Sequence, residues 1–147
     1  MNRIGLFLDD VRIIDEKPRY IDEWYTVRSY NEFVEFITTF YGNHKELPKL
    51  LSLDHDLSTE HYTDYQMKPL GSPIMYSKFK EKTGMDCAKW LCVFCEENNI
   101  SLKDTKIAVH SFNPMGATNI QSYINNYKKS KDADQDCFTF KWKYREE

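Results

Sequence analysis

Leu50-Leu51-Ser52-Leu53-Asp54-His55-Asp56-Leu57 is a short apolar run that breaks into acid, imidazole and acid. It is too brief for a helix, and predicts a buried strand that delivers charged groups into a crevice at its carboxyl end. Two other stretches repeat the design. Ile4-Gly5-Leu6-Phe7-Leu8 runs into Asp9-Asp10, and Ile107-Ala108-Val109 runs into His110-Ser111-Phe112-Asn113. In an open parallel sheet, ligands bind outside the carboxyl ends of the strands, so three such strands predict one site.

Working outward, Trp24 to Arg28 is aromatic and β-branched and predicts a second strand. Between it and the first strand, Val11 to Glu23 lacks helical periodicity and contains Pro18, which predicts a long loop carrying Arg12. Ser29 with Glu32 forms a capping box ahead of Phe33, Val34, Phe36, Ile37 and Phe40, with Gly42-Asn43 as the stop. Thr83 to Asn98 predicts a second helix with Ala88, Leu91, Cys92 and Cys95 inward. Thr105 to Val109 predicts a strand. Pro114 or Ala117 opens a third helix with Ile120, Tyr123, Ile124 and Tyr127 inward. Lys128 to Asp136 reads as a charged, solvated linker, and Cys137 to Tyr144 as a half-exposed edge strand.

The segment from Ser58 to Lys82 has scattered aromatics, no period and a Gly71-Ser72-Pro73 turn signal. A connection of that length is either a surface insertion or a flap beside the site. Alternating strands and helices predict a three-layer α/β sandwich, with a mainly parallel sheet and helices on both faces. Residues 1–147 are expected to form one domain with an insertion at about 58–82.

Composition sets further limits. Hydrophobic residues at 41% and charged residues at 29% fit a globular chain. A net charge of −3 gives no general attraction to polyanions, so no general duplex nucleic-acid binding is expected. No apolar run approaches the roughly 20 residues of a membrane span. Met1-Asn2-Arg3 leads straight into a strand, without a signal peptide. Cys87, Cys92, Cys95 and Cys137 lack the partners of a zinc site, and are expected as reduced core thiols of a cytoplasmic protein.

Asp9, Asp10, Asp54 and Asp56 converge if the first and third strands are neighbours. Two carboxylates ~4 Å apart near a surface repel by roughly 4 kcal/mol at an effective dielectric of 20. They need a cation, a proton or basic side chains, and these four acids are the expected ligands of a divalent metal such as Mg²⁺ or Mn²⁺. Arg12, Arg28 and the histidines are alternative sources of positive charge. His55 and His110 suit proton transfer in phosphoester cleavage, and Ser111 suits a bond to a phosphate oxygen or, as a second choice, nucleophilic attack. The turn Asn113 to Asn119, with Pro114 and Gly116, enters a helix and suits an anion.

Leu6 to Arg12, Trp24, Val27 to Tyr30, Ser52 to Leu57, Thr83 to Asp86, Val109 to Gly116 and Asn119-Ile120 together resemble the cyclic-phosphate-processing receiver-like domains. The resemblance covers about residues 3–127. It implies a receiver-like fold acting as a phosphoesterase on a cyclic phosphate, at an RNA 2′,3′-cyclic end or in a cyclic nucleotide. The positions that match are Asp9, Asp10, Arg12, Asp54, His55, Asp56, His110, Ser111, Asn113 and Asn119. Two other functions fit the same crevice. One is a non-catalytic module that binds a nucleotide or protein. The other is a phospho-accepting receiver, although no Lys-Pro follows the last strand and the two histidines have no task in it.

Overall fold

The computed structural model describes residues 2–146. Five strands form the main sheet: β1 (Ile4–Leu8), β3 (Glu23–Val27), β4 (Leu50–Leu53), β5 (Lys106–Val109) and β6 (Phe138–Thr139). Their order is β3-β1-β4-β5-β6 and every pairing is parallel. The chain moves from β1 outward to β3, then returns to the other side of β1 at β4. That reversal opens a crevice at the carboxyl ends of β1 and β4, where Asp9 and Asp54 stand.

Alternate side chains of these strands face opposite layers. Leu6, Leu8, Leu51, Leu53, Ile107 and Val109 pack on α1 (Tyr30–His44), α3 (Gly84–Glu97) and α4 (Pro114–Ser130). Phe7, Leu50 and Ala108 face the other way, onto Ile21 and Trp142 with Ile14, Tyr20, Trp24 and Tyr144. The α/β sandwich therefore has its three layers. The third is built not from helices but from loop segments and a two-stranded antiparallel ribbon, β2 (Arg12–Ile14) with β7 (Tyr144–Glu146).

That ribbon corrects the expected loop at Val11 to Glu23, because Arg12–Ile14 gains its strand conformation from a partner at the far end of the sequence. It also divides the edge strand expected over Cys137 to Tyr144. Only Phe138–Thr139 joins the main sheet; the chain then crosses beneath it, with Trp142 buried. Helix α1 runs past Gly42-Asn43 to His44, and Lys45 closes it in the left-handed region, its N–H on the Tyr41 carbonyl. Lys128 belongs to α4 rather than to a solvated linker. It is buried, with its ammonium on the Thr105 carbonyl and the Asp136 carboxylate.

The segment from Ser58 to Lys82 carries regular structure. It holds α2 (Thr59–Met67) and a single 3-10 turn at Tyr76–Lys78. All four thiols are free and buried in the core, and burial pushes Cys92, Cys95 and Cys137 up to about 12. Among the described residues no helix is long and apolar enough to cross a membrane.

Candidate functional site

Asp9 leaves β1 into a tight turn. Its Oδ1 accepts the backbone N–H groups of Val11 (3.0 Å) and Arg12 (2.9 Å). This local bonding is what acidic residues do at turns, and it curls Arg12 back over the acid. Arg12 Nη1 then donates to Asp9 Oδ2 at 3.2 Å and stands 3.7 Å from Asp54 Oδ2. The guanidinium also lies 4.5 Å from the Phe112 ring centroid and 4.7 Å from that of Tyr144. Arg28 Nη1 donates to the carbonyls of Asp9 and Arg12 and so braces the turn. One of the expected charge-balancing cations is thus built in, between two buried carboxylates.

His110, at the end of β5, stacks on Phe7 with 4.4 Å between centroids. Trp142 Nε1–H donates to Ser52 Oγ at 2.7 Å, which leaves the Ser52 hydroxyl hydrogen for His110 Nδ1, also at 2.7 Å. The ring hydrogen of His110 is then on Nε2, donated to Asp9 Oδ2 at 3.1 Å. Burial pulls the His110 pKa down against the attraction of Asp9, so the imidazole is neutral, as this chain of bonds requires. Burial alone would raise Asp9, but the bonds from His110 and the two backbone N–H groups outweigh it and hold the group ionised.

A second relay surrounds His55. Asn119 Nδ2 donates to Tyr76 Oη at 2.9 Å, and the Tyr76 hydroxyl donates to His55 Nε2 at 2.9 Å. His55 Nδ1–H therefore faces Asp56 Oδ1, at 2.6 Å, and Asn113 Nδ2 adds a bond to the same oxygen at 3.3 Å. Burial pushes the Tyr76 hydroxyl up to about 12, so it stays a donor. Asn113 also caps α4, its Oδ1 accepting Gly116 N–H at 3.0 Å. Gly116 is small because His55 lies against it: a Cβ there would come within 2.3 Å of the ring. Gly84 plays the same part for α3, whose first turn rests on the Asp54 carbonyl.

Asp54 is the least compensated group. Only 1% exposed, it accepts His55 N–H at Oδ1, and Oδ2 has no hydrogen-bond partner. Burial and then repulsion from Asp9 push its pKa well above the ordinary value, against the pull of Arg12. Asp10 points to the flap instead, where Tyr62 Oη–H donates to Oδ1 at 2.8 Å; burial raises this acid too. Ser111 is half-buried, and its Oγ accepts the N–H of Asn113.

Eight of the expected site residues gather along one sheet edge in two groups, with Gly116 against His55, Ser111 on the Asn113 N–H and Asp10 turned to Tyr62. Asp9, Arg12, Asp54 and His110 form one; His55, Asp56, Asn113 and Asn119 form the other. Ser52, Trp142, Tyr76, Tyr62 and Tyr144 join them without having been expected from the sequence. Ser52 does carry a signal, since a hydroxyl inside an apolar buried strand must find a partner. The tyrosines and Trp142 carry none beyond the surplus of aromatics.

Asp9, Asp54 and His110 each offer a ligand atom, and these lie within 4.8 Å of one another, so the three can hold a metal ion. The unpartnered Asp54 Oδ2 fits that use, while Arg12 competes for the same carboxylates. Asp56 serves His55 and Asp10 serves Tyr62 in this arrangement.

No curated protein and no solved structure matches the chain. The family model for the cyclic-phosphate processing receiver domain matches residues 4–126, a span that ends before β6 and includes the carboxyl ends of β1, β4 and β5. The fold, the residues gathered at that edge and this match agree: the chain belongs to the cyclic-phosphate processing receiver domains.

Proposed function

We propose that the protein is a phosphoesterase that opens a cyclic phosphate, at an RNA 2′,3′-cyclic end or in a cyclic nucleotide. The observation that carries this reading is the His55 relay. With Nδ1–H on Asp56, the His55 Nε2 lone pair is the basic position, and it accepts the Tyr76 hydroxyl of the flap. When Tyr76 withdraws, Nε2 takes a proton from water as the water oxygen bonds to phosphorus and the ring P–O bond breaks. Asp54, whose pKa burial and the neighbouring Asp9 raise, gives a proton to the departing oxygen. Arg12 and Ser111 hold the phosphate oxygens, and His110 keeps Asp9 and Arg12 aligned.

Asp9, Asp54 and His110 would hold a divalent ion only with Asp54 deprotonated and the His110 Nε2 hydrogen gone, so a bound ion, which would supply Lewis-acid polarisation of a phosphoryl oxygen, is an alternative to proton donation by Asp54.

A panel of cyclic mononucleotides, cyclic dinucleotides and RNA with cyclic ends, assayed with Mn²⁺, with Mg²⁺ and with chelator, tests the reading. Turnover is expected for at least one cyclic phosphate, and His55→Ala should slow it by roughly 10²–10⁴ with the fold intact. Tight binding without turnover would make the protein a sequestering module. The receiver reading is favoured by one placement, Lys141 just beyond the fifth parallel strand. Acetyl phosphate labelling of Asp54 would establish it and end the hydrolase proposal.

A further inference from the structure

Beyond the reacting centre, the carboxyl ends of β5 and β6 frame a cavity of about 300 Å³ lined by His110, Ser111, Phe112, Thr139, Phe140 and Lys141. Two of its walls are phenyl rings left open to solvent, Phe112 at 51% and Phe140 at 45% exposure. Both rings therefore offer part of their apolar surface to a ligand. Phe140 is held in place, its N–H on the Val109 carbonyl at 2.9 Å and its ring 4.3 Å from Trp142. The Lys141 ammonium stands 5.1 Å from the Phe112 ring centroid, so a cation lies beside the aromatic faces. The hydroxyls of Ser111 and Thr139 complete a set of aromatic, cationic and hydroxyl groups, the chemistry by which proteins hold a base and its phosphate.

We propose that this cavity is a nucleobase subsite: it takes the base of a nucleoside phosphate, stacked on Phe140, while Lys141 meets the phosphate. The inference rests on the cyclic-phosphate reading above and narrows it to substrates that carry a base. His110 and Ser111 connect the cavity to the reacting centre, since both line it and His110 bonds Asp9. Thr139, Phe140 and Lys141 lie beyond residues 4–126 that the family match covers, while His110, Ser111 and Phe112 lie within them. Lys141 also supplies local positive charge on a chain of net charge −3, which suits one nucleotide or one RNA end rather than a duplex.

Calorimetric titration tests this with three ligands: adenosine 2′,3′-cyclic phosphate, ribose 2′,3′-cyclic phosphate without a base, and an RNA trinucleotide ending in a 2′,3′-cyclic phosphate. The base should tighten binding by roughly 5- to 100-fold. Phe140→Leu, which keeps apolar volume but removes the π-face, should abolish most of that preference, and Phe140→Trp should preserve it. Tighter binding of the trinucleotide than of the mononucleotide assigns the subsite to RNA ends, and equal binding assigns it to free nucleotides. Equal affinity of the parent for ligands with and without a base overturns the proposal, as does a preference that survives Phe140→Leu. If the parent binds adenosine 3′-phosphate in a Phe140-dependent way but opens no cyclic phosphate, the subsite stands and the hydrolase reading fails. Turnover without any base preference leaves the hydrolase standing and removes the subsite.

Discussion

Asp54 shows how burial and charge act together on one residue. Its folded carboxyl keeps a proton at pH values where the unfolded one, near the ordinary 3.8, has lost it. Folding takes up a proton in that window, so this group's contribution to stability falls as pH rises from 3.8 through the raised folded value. Asp54→Asn should remove the dependence. Denaturant unfolding from pH 4 to 8 is expected to show the variant gaining on the parent as pH rises; a constant difference would contradict the shift. Arg12 is the reverse case, because two buried carboxylates share its guanidinium. Arg12→Met should cost about 3–5 kcal/mol, the usual effect of stranding buried charge. Adding Asp54→Asn to Arg12→Met should recover part of that loss, and simple additivity of the two changes would show that they do not interact.

At the scale of elements, the segment from Ser58 to Lys82 is fastened at both ends and open in the middle. Leu57 N–H donates to His61 Nδ1, His61 Nε2–H to the Glu81 carbonyl, and Glu60 accepts the N–H groups of Lys80 and Glu81. Tyr62 and Tyr76 tie it to Asp10, His55 and Asn119. Between them Leu70 is 88% exposed. Limited proteolysis is therefore expected first within residues 68–75, with α2 and the 3-10 turn cut later. Tyr76→Phe, which loses both hydroxyl bonds, should speed that cleavage. First cleavage at Tyr62 would mean that the polar anchors do not hold.

Across the whole molecule, the last segment carries what helices carry on the opposite face. Trp142 packs with Phe7, Leu50 and Ala108, and its indole N–H starts the relay to His110. Trp142→Ala should cost about 3–5 kcal/mol by opening a cavity in that layer. Trp142→Phe keeps most of the packing and should cost less. It should nevertheless change the His110 ring environment seen by NMR, since Ser52 loses its donor; an unaltered His110 signal would break the proposed link between segment and site.

Much of this protein is written locally. The apolar runs ending in Asp9, Asp54 and His110, the caps at Ser29 and Thr83, and the inward stripes of the helices are short-range patterns, because strand and helix periods and capping bonds involve residues a few positions apart. From them follow the parallel α/β sheet and the edge where the candidate residues meet. The partners of those residues are a different matter. Arg12 enters a strand because Glu146 lies opposite it, Ser52 is satisfied by Trp142, and His55 is oriented by Tyr76. No local period encodes contacts between residues so far apart. Only the folded chain decided which imidazole faces which carboxylate, and that Arg12 stands between Asp9 and Asp54.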